Sequence, residues 1–168
     1  HQGDLVELTL WFEGLTPKIG RSALMMRDGK RYLFEGDGSA RASIASVGNY
    51  IYEPDSSLIR SQLLGEFANQ LNLSSVSDGI AYLTNDELVE SPWLKTYEVL
   101  ENLPLDEAAI RKSLAARGIG KLEIKKRGVD ITPEQLRPKL RLKGEGAASL
   151  ILTKIGDARR ALIVQPIR

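Results

Sequence analysis

The stretch Gly118–Val129, GIGKLEIKKRGV, is the segment from which the fold can be worked out. Leu122 and Ile124 alternate with charged residues, which is the period of two expected of a strand with one buried face. Gly118 stands where a preceding helix would end in a left-handed residue. The stretch therefore predicts a strand that is entered directly from a helix.

The residues before this stretch predict another strand and the helix that joins the two. The run 94–101 is β-like, and Asp106 can cap a helix whose start is fixed by packing of Leu105 on Ile110. Strand, helix and strand together take about 30 residues, the length of a βαβ unit. We therefore predict such a unit, with a right-handed crossover if its strands are parallel.

The residues after it predict a short helix and a hairpin. Thr132–Gln135 is a capping box with proline at the first helical position, and Pro138 makes the helix short or kinked. The apolar runs 148–155 and 159–165 are joined by a turn at Gly156, which predicts a hairpin in a buried sheet. The predicted class is α+β, with a small mixed sheet that contains the βαβ unit and the C-terminal hairpin.

The N-terminal part predicts a β-meander. Its second and third runs, 22–26 and 31–35, flank Asp28-Gly29, a strong two-residue hairpin signal. The small polar residues 36–48 indicate a linker, so we expect parts at 1–47 and 48–168. The first run of the meander is β-rich and includes Leu5, Leu8, Leu10 and Phe12.

One amphipathic helix is predicted after the linker. Asp55 or Ser56 can cap it, and it is expected to end near Asn72. Its apolar residues recur at a spacing of four: Ile59, Leu63, Phe67 and Leu71.

Composition excludes several kinds of site. The 168 residues are 42% hydrophobic and 27% charged, with no cysteine and with His1 as the single histidine. Zinc sites, thiol catalysis and histidine triads need those side chains. No apolar run approaches the roughly 20 residues of a membrane span, and no signal peptide is evident, so we expect a cytoplasmic protein without membrane contact.

No catalytic, metal-binding or cofactor-binding residue is predicted in this chain. Gly36–Gly38 lacks the third glycine of a dinucleotide loop, and Gly118–Lys121 lacks the upstream glycine of a P-loop. Leu122 also replaces the Ser or Thr that would hold magnesium. The carboxylate pairs at 86–87 and 106–107 lie near predicted helix starts, where acids favour the helix dipole.

Charge is distributed unevenly along the chain. Residues 1–116 contain 10 Lys and Arg against 17 Asp and Glu, a net −7, whereas residues 117–168 contain 13 against 5, a net +8. The segment 117–143 alone has nine cations against three carboxylates, a net +6. Such asymmetry is a hint of nucleic-acid binding, although solvated lysines of a basic domain would give the same count.

The basic segment suits backbone phosphates better than bases. Lys121 and Lys125 would share one strand face, while aromatic residues for base stacking are absent from the segment. Lys139 is the one cation of the segment that we leave out of the predicted nucleic-acid-binding set. That set is Arg117, Lys121, Lys125, Lys126, Arg127, Arg137, Arg141 and Lys143.

Three stretches resemble the THUMP-like C-terminal domain of bacterial class I S-adenosylmethionine-dependent methyltransferases. They are Tyr52–Asp55 followed by Ile59-Arg60, then Gly118–Val129, the most specific of the three, and Leu140–Gly144. The resemblance covers roughly residues 48–166. It implies that residues 1–47 are the last strands of a Rossmann-like methyltransferase sheet plus a linker, so that the N-terminal hairpin is a remnant of that sheet.

The resemblance also implies a function. The complete protein would be a transferase that methylates a substrate, RNA such as tRNA or rRNA, and this domain would dock it. The chain lacks a glycine-rich loop after a first strand, an acidic end to a second strand and an Asn/Asp-Pro-Pro-Tyr motif. We therefore expect no cofactor in this chain, S-adenosylmethionine in a missing N-terminal methyltransferase domain, and no activity from this chain alone. The alternative is a structural or protein-interaction domain that braces the methyltransferase core or a dimer.

Overall fold

The computed structural model describes residues 7–10, 14–15 and 20–167. In these residues the strands are β1 (Arg21–Arg27), β2 (Lys30–Gly36), β3 (Tyr50–Pro54), β4 (Ser74–Ser75), β5 (Leu83–Asn85), β6 (Leu94–Pro104), β7 (Ile119–Arg127), β8 (Gly146–Ile155) and β9 (Ala158–Pro166). The helices are α1 (Ser56–Arg60), α2 (Leu64–Gln70), α3 (Glu107–Ala116) and α4 (Pro133–Leu140).

Seven strands form one mixed sheet in the order β4-β5-β3-β6-β9-β8-β7, and β1 pairs with β2 in a separate hairpin. All neighbours are antiparallel except β7 and β8, which are parallel and joined through α4. The α+β class with a mixed sheet is confirmed.

The predicted strand, helix and strand unit is formed by β6, α3 and β7, whose two strands are not neighbours in the sheet. Strands β6 and β7 run in the same direction, but β9 and β8 lie between them. The reason is the apolar C-terminal hairpin, in which residues 148–153 and 161–164 are buried without interruption. Strands buried on both faces occupy the centre of a sheet, so this hairpin separates β6 from β7.

The sheet has a core on each face. Leu150, Leu152 and Ile163 face α3 and α4, in one cluster with Ile110 and Leu136. The side chains that alternate with these on β8 and β9 pack on the opposite face of the sheet. There they form a second cluster with residues from β3, β6 and the segment 76–82: Ile51, Val76, Tyr82, Tyr97, Ile151, Leu162 and Val164. Successive side chains of β7 therefore lie on opposite faces of the sheet, with Leu122 and Ile124 on the face of the helices.

The predicted ends of α3 and α4 are confirmed. The Asp106 side chain accepts a hydrogen bond from Ala109 N at 2.8 Å, and Gly118 has φ +62° just after α3. Thr132 and Gln135 form the capping box of α4. Pro138 lies inside α4, which has only eight residues. The residue after the helix, Arg141, has a left-handed backbone conformation.

The single helix predicted after Asp55 is wrong, because the chain forms two short helices, α1 and α2. Asp55 caps α1, and Gln62 breaks the continuity with φ +61°. Leu58 and Leu63 are both fully buried. In one continuous helix five residues turn the chain by about 140° beyond a full circle, so these two side chains could not enter the same core.

The hairpin prediction is confirmed, with Asp28 and Gly29 both at positive φ in the turn. Ala23 and Met25 pack into the core formed with α1 and α2. Of the predicted first strand, Leu8 and Leu10 lie outside any strand and are exposed, and Leu5 and Phe12 lie outside the described residues. The division at residue 47 remains a prediction.

Candidate nucleic-acid interface

Strand β7 contributes half of the predicted binding residues, and it forms one edge of the sheet. Leu122 and Ile124 face the helices, as does the exposed Lys126. Lys121, Lys125 and Arg127 are on the other face. From Lys121 to Arg127 the strand extends about 20 Å at 3.3 Å per residue, so its cations spread along the edge instead of converging at one end.

Lys125 and Arg127 are held by a carboxylate from the far side of the sheet. Lys125 Nζ lies 2.9 Å from Glu53 Oε2, and Arg127 Nη2 lies 3.5 Å from Glu53 Oε1. Four interstrand spacings separate β3 from β7, about 19 Å in a flat sheet. The sheet is therefore strongly curled, and Glu53 links its two sides across the concave face.

Two buried tyrosines complete this junction. The Arg127 guanidinium lies 4.9 Å from the centre of the Tyr82 ring, and Lys125 Nζ lies 5.8 Å from that of Tyr97. The Tyr97 hydroxyl donates to Glu53 at 3.3 Å, and Arg127 Nη1 donates to the Ala81 carbonyl at 2.6 Å. We call Glu53, Tyr82, Tyr97, Lys125 and Arg127 the Glu53 junction.

The junction perturbs the titration of its members. Burial alone would lower the pKa of Lys125, but the hydrogen bond and the charge of Glu53 outweigh it and raise that pKa. Burial, reinforced by the charge of Glu53, raises the pKa of Tyr82 to about 12 and also raises the pKa of Tyr97. Lys125 is therefore charged, and it shares the single negative charge of Glu53 with Arg127, so the junction keeps a net positive charge.

Two further predicted residues are also anchored within the protein. Arg117 lies 3.1 Å from Glu101 and donates to the Leu100 carbonyl. Arg137 Nη2 donates to the Leu122 carbonyl at 2.9 Å, which ties α4 to the edge strand. A bond to a carbonyl leaves the positive charge of Arg137 uncompensated, so this arginine still contributes to the surface potential.

Four of the predicted cations have neither an ion-pair partner nor a side-chain hydrogen-bond partner among residues 7–10, 14–15 and 20–167. They are exposed, and they lie along β7 and after α4: Lys121, Lys126, Arg141 and Lys143. Lys121 and Lys143 belong to segments that are close in space, because the backbone crosses tightly where Gly146 N donates to the Gly118 carbonyl. Lys126, together with Arg137, helps to hold the pKa of Glu134 below its usual range, after the stronger effect of local hydrogen bonds. We call these four residues the free cations.

Two features next to these residues were not predicted from the sequence. A shallow groove of about 400 Å³ runs between β6 and α3, lined by residues that include Arg117, Lys112 and Leu103. Glu53, which pairs with the predicted binding residues Lys125 and Arg127, is 72 positions from Lys125 along the chain. Charge counting within one segment could not reveal it.

The described part of the chain shows neither a candidate metal centre nor a membrane-spanning helix. It contains no group of three or more His, Asp or Glu side chains positioned to hold a metal ion. None of its helices is long and apolar enough to cross a membrane. The arrangement that it does offer is a set of free cations along the edge strand β7 and after α4, which is suited to binding an anionic polymer.

Comparison with known proteins assigns the C-terminal part to a recognised type. Residues 94–166 match the family described as THUMP domain-like. Over 157 residues, 93% of the chain, the sequence is 34% identical to uncharacterized S-adenosylmethionine-dependent methyltransferases from two strains of Mycobacterium tuberculosis. The chain spans 43% of the length of these curated relatives.

A solved structure is similar in fold. It is a crystal structure described as that of a "putative methyltransferase" from Porphyromonas gingivalis, with a TM-score of 0.71. The similarity covers 88% of this chain and 37% of that chain, at 18% sequence identity. At this level of identity the likeness concerns the fold alone.

Proposed function

We propose that this chain, in which residues 94–166 are a THUMP-like domain, is the C-terminal substrate-docking part of an S-adenosylmethionine-dependent methyltransferase whose substrate is RNA. The homology to longer methyltransferases supports the parent activity, and the share of their length that the chain spans supports a part that works beside another domain. The resemblance found in the sequence is thereby confirmed at the level of the domain.

The free cations are the observation on which RNA docking rests. Lys121, Lys126, Arg141 and Lys143 lie within the THUMP-like residues and keep their charge uncompensated. Lysine and arginine side chains that contact phosphates release counterions, which gives affinity without base contacts. Because Lys125 and Arg127 share the charge of Glu53 and are partly buried, we place the main docking surface on the free cations and Arg137.

Binding of the chain to tRNA tests this proposal directly. We expect fluorescence anisotropy to show binding at low salt that weakens steeply as salt is raised, because each phosphate contact contributes about 0.7 to 0.9 to the slope of log K against log salt. Exchange of Lys126 for Gln should reduce that slope, whereas Arg31→Gln on the outer face of the N-terminal hairpin should not. Binding that is absent at low salt would refute RNA docking.

Methyl transfer itself would occur in a part of the protein outside this chain. We propose that S-adenosylmethionine binds in an N-terminal methyltransferase domain and that the complete protein works in the cytoplasm. The names of the curated relatives support the cofactor. The test is methyl transfer by the full-length protein, with the 168-residue chain added separately as a control that should transfer none.

A bracing role is the alternative, and a specific observation favours it. Leu24 and Leu33 face each other on the outer face of the hairpin and are 51% and 50% exposed, and Met26 beside them is 62% exposed. An apolar face of this kind suits contact with another domain of the same protein. In the full-length enzyme, Leu24→Ser with Leu33→Ser should impair assembly if bracing dominates, whereas Lys126→Glu should impair RNA methylation if docking dominates.

A further inference from the structure

A small cleft lies where four segments that are distant in sequence meet. It is bounded by the end of β1, the turn from β3 into α1, the start of β6 and the end of β7. Its volume is about 80 Å³. The residues that matter for its chemistry are Arg27, Glu53, Asp55, Trp93, Lys95 and Arg127.

Cations outnumber carboxylates in this cleft. Arg27, Lys95 and Arg127 face only Glu53 and Asp55, and Glu53 already serves a further cation from the Glu53 junction. Lys95 lies directly opposite Glu53 in the pairing of β3 with β6, yet it has no ion-pair partner among the described residues and is exposed. The cleft therefore has an excess of positive charge.

Backbone carbonyls hold both guanidinium groups in place. Arg127 Nη1 donates to the Ala81 carbonyl at 2.6 Å, and Arg27 Nη1 donates to the Pro92 carbonyl. Arg27 Nη2 lies 3.9 Å from Asp55 Oδ2, which is beyond hydrogen-bond distance. A guanidinium has five N–H donors. Arg27 therefore keeps donors for an anion beside its carbonyl contact, and Arg127 keeps donors beside its contacts to the Ala81 carbonyl and to Glu53.

The size of the cleft selects the kind of anion. A volume of 80 Å³ is two to three times the roughly 30 Å³ that a water molecule takes up in the liquid. That accommodates a phosphate group but not a nucleoside, since ligand pockets for larger molecules usually exceed about 300 Å³. Trp93 is only 7% exposed, so it forms a wall of the cleft and offers no face for base stacking.

We propose that this cleft binds one backbone phosphate of the RNA, with Arg27 and Arg127 as the guanidinium donors and Lys95 as the mobile third cation. The inference rests on the proposed function and adds a contact outside the basic segment 117–143. Because Arg27 belongs to the N-terminal hairpin, the bound strand would run from the THUMP-like residues onto that hairpin.

Trp93 provides a local reporter for the test. In a Trp11→Phe background it is the one remaining tryptophan of the chain, and its emission is followed while a single-stranded RNA oligonucleotide or inorganic phosphate is added. Anisotropy of labelled RNA is measured in parallel. The variants are Arg27→Gln and Lys95→Gln, with Arg31→Gln on the outer face of the hairpin as the matched control.

The proposal predicts a saturable change of Trp93 emission with RNA. Arg27→Gln should weaken RNA about tenfold, as expected for one charged hydrogen bond, and both cleft variants should lower the salt slope by about 0.7. Arg31→Gln should match the parent protein. Lys95 is exposed and unpaired, so its exchange tests the cleft even if Arg27→Gln loosens the hairpin.

The other outcomes overturn the proposal in distinguishable ways. RNA binding with unchanged Trp93 emission and unaffected cleft variants would leave RNA docking intact and refute the cleft as a contact. A response to inorganic phosphate without one to RNA would identify a site for free phosphate and refute the assignment to RNA. Absence of both RNA binding and a phosphate response would refute the proposed function and the cleft together.

Discussion

Removing the charge of Glu53 should destabilise the fold, because this carboxylate joins strands on opposite sides of the curled sheet. Glu53→Gln keeps the size of the side chain and removes the anion shared by Lys125 and Arg127. Their side chains are 20% and 30% exposed, and that of Glu53 is 18% exposed, so solvent screens the pair only partly. After the exchange Lys125 would keep only the more exposed carboxylate of Glu123, 3.5 Å away, and Arg127 would lose its carboxylate partner.

The magnitude follows from the individual contacts. The Lys125 hydrogen bond at 2.9 Å is charge-assisted and contributes about 1.5 to 3 kcal/mol, whereas the longer Arg127 contact contributes about 0.5 kcal/mol. We therefore expect a loss of about 2 to 3.5 kcal/mol. For a chain of this length each kcal/mol lowers Tm by about 2 to 4 °C, so Tm should fall by about 4 to 14 °C.

Urea unfolding followed by circular dichroism measures this loss. Glu98→Gln is the matched control, since Glu98 is exposed on β6 and should stay within about 0.5 kcal/mol of the parent. The double variant Glu53→Gln with Lys125→Gln should recover part of the loss, because it removes one of the uncompensated cations. If Glu53→Gln unfolds within 0.5 kcal/mol of the parent protein, the junction does not stabilise the fold.

Alkaline pH should destabilise the protein through the same junction. The pKa values of Lys125 and Tyr82 are raised in the folded state, so their contribution to stability is complete below their unfolded pKa values near 10. That contribution is lost as pH rises through the folded pKa values, so Tm should fall between about pH 10 and 12. In Glu53→Gln the part due to Lys125 should disappear, and an unchanged pH profile would contradict this. Asp106→Ala removes the cap of α3 and should cost about 1 kcal/mol in urea unfolding, against no loss if the cap is unimportant. Gly120→Ala should prevent normal folding or lower Tm severely, because the added Cβ would lie 2.0 Å from the Gly144 carbonyl oxygen; a parent-like Tm would refute that close approach.

Local signals predicted much of the fold. The Asp106 cap, the Thr132 capping box and the Asp28-Gly29 turn depend on neighbouring residues, and all three appear in the structure. The break at Gln62 could not be read in this way, because it arises from the need to bury both Leu58 and Leu63. A spacing of four favoured one helix, and tertiary packing overrode it.

Strand order and the charge state of the site depend on contacts between distant residues. The uninterrupted burial of β8 and β9 inserts them between β6 and β7, which no pattern within the strand, helix and strand unit indicates. Likewise Lys125 and Arg127 belong to the basic segment in sequence, but the curl of the sheet brings both into ion pairs with Glu53. The count of +6 therefore overstated the charge available to a partner.

The salt dependence of RNA binding tests the central claim most directly. The parent chain is compared with the variant in which Lys121, Lys126 and Lys143 are all changed to Gln, and with Arg31→Gln on the outer face of the hairpin as the control. If the free cations dock RNA, the slope of log K against log salt should be smaller in magnitude by about 2 in the triple variant, because each contact with single-stranded RNA contributes about 0.7. The control should keep the parent slope. Equal slopes for all three proteins would contradict docking by these residues.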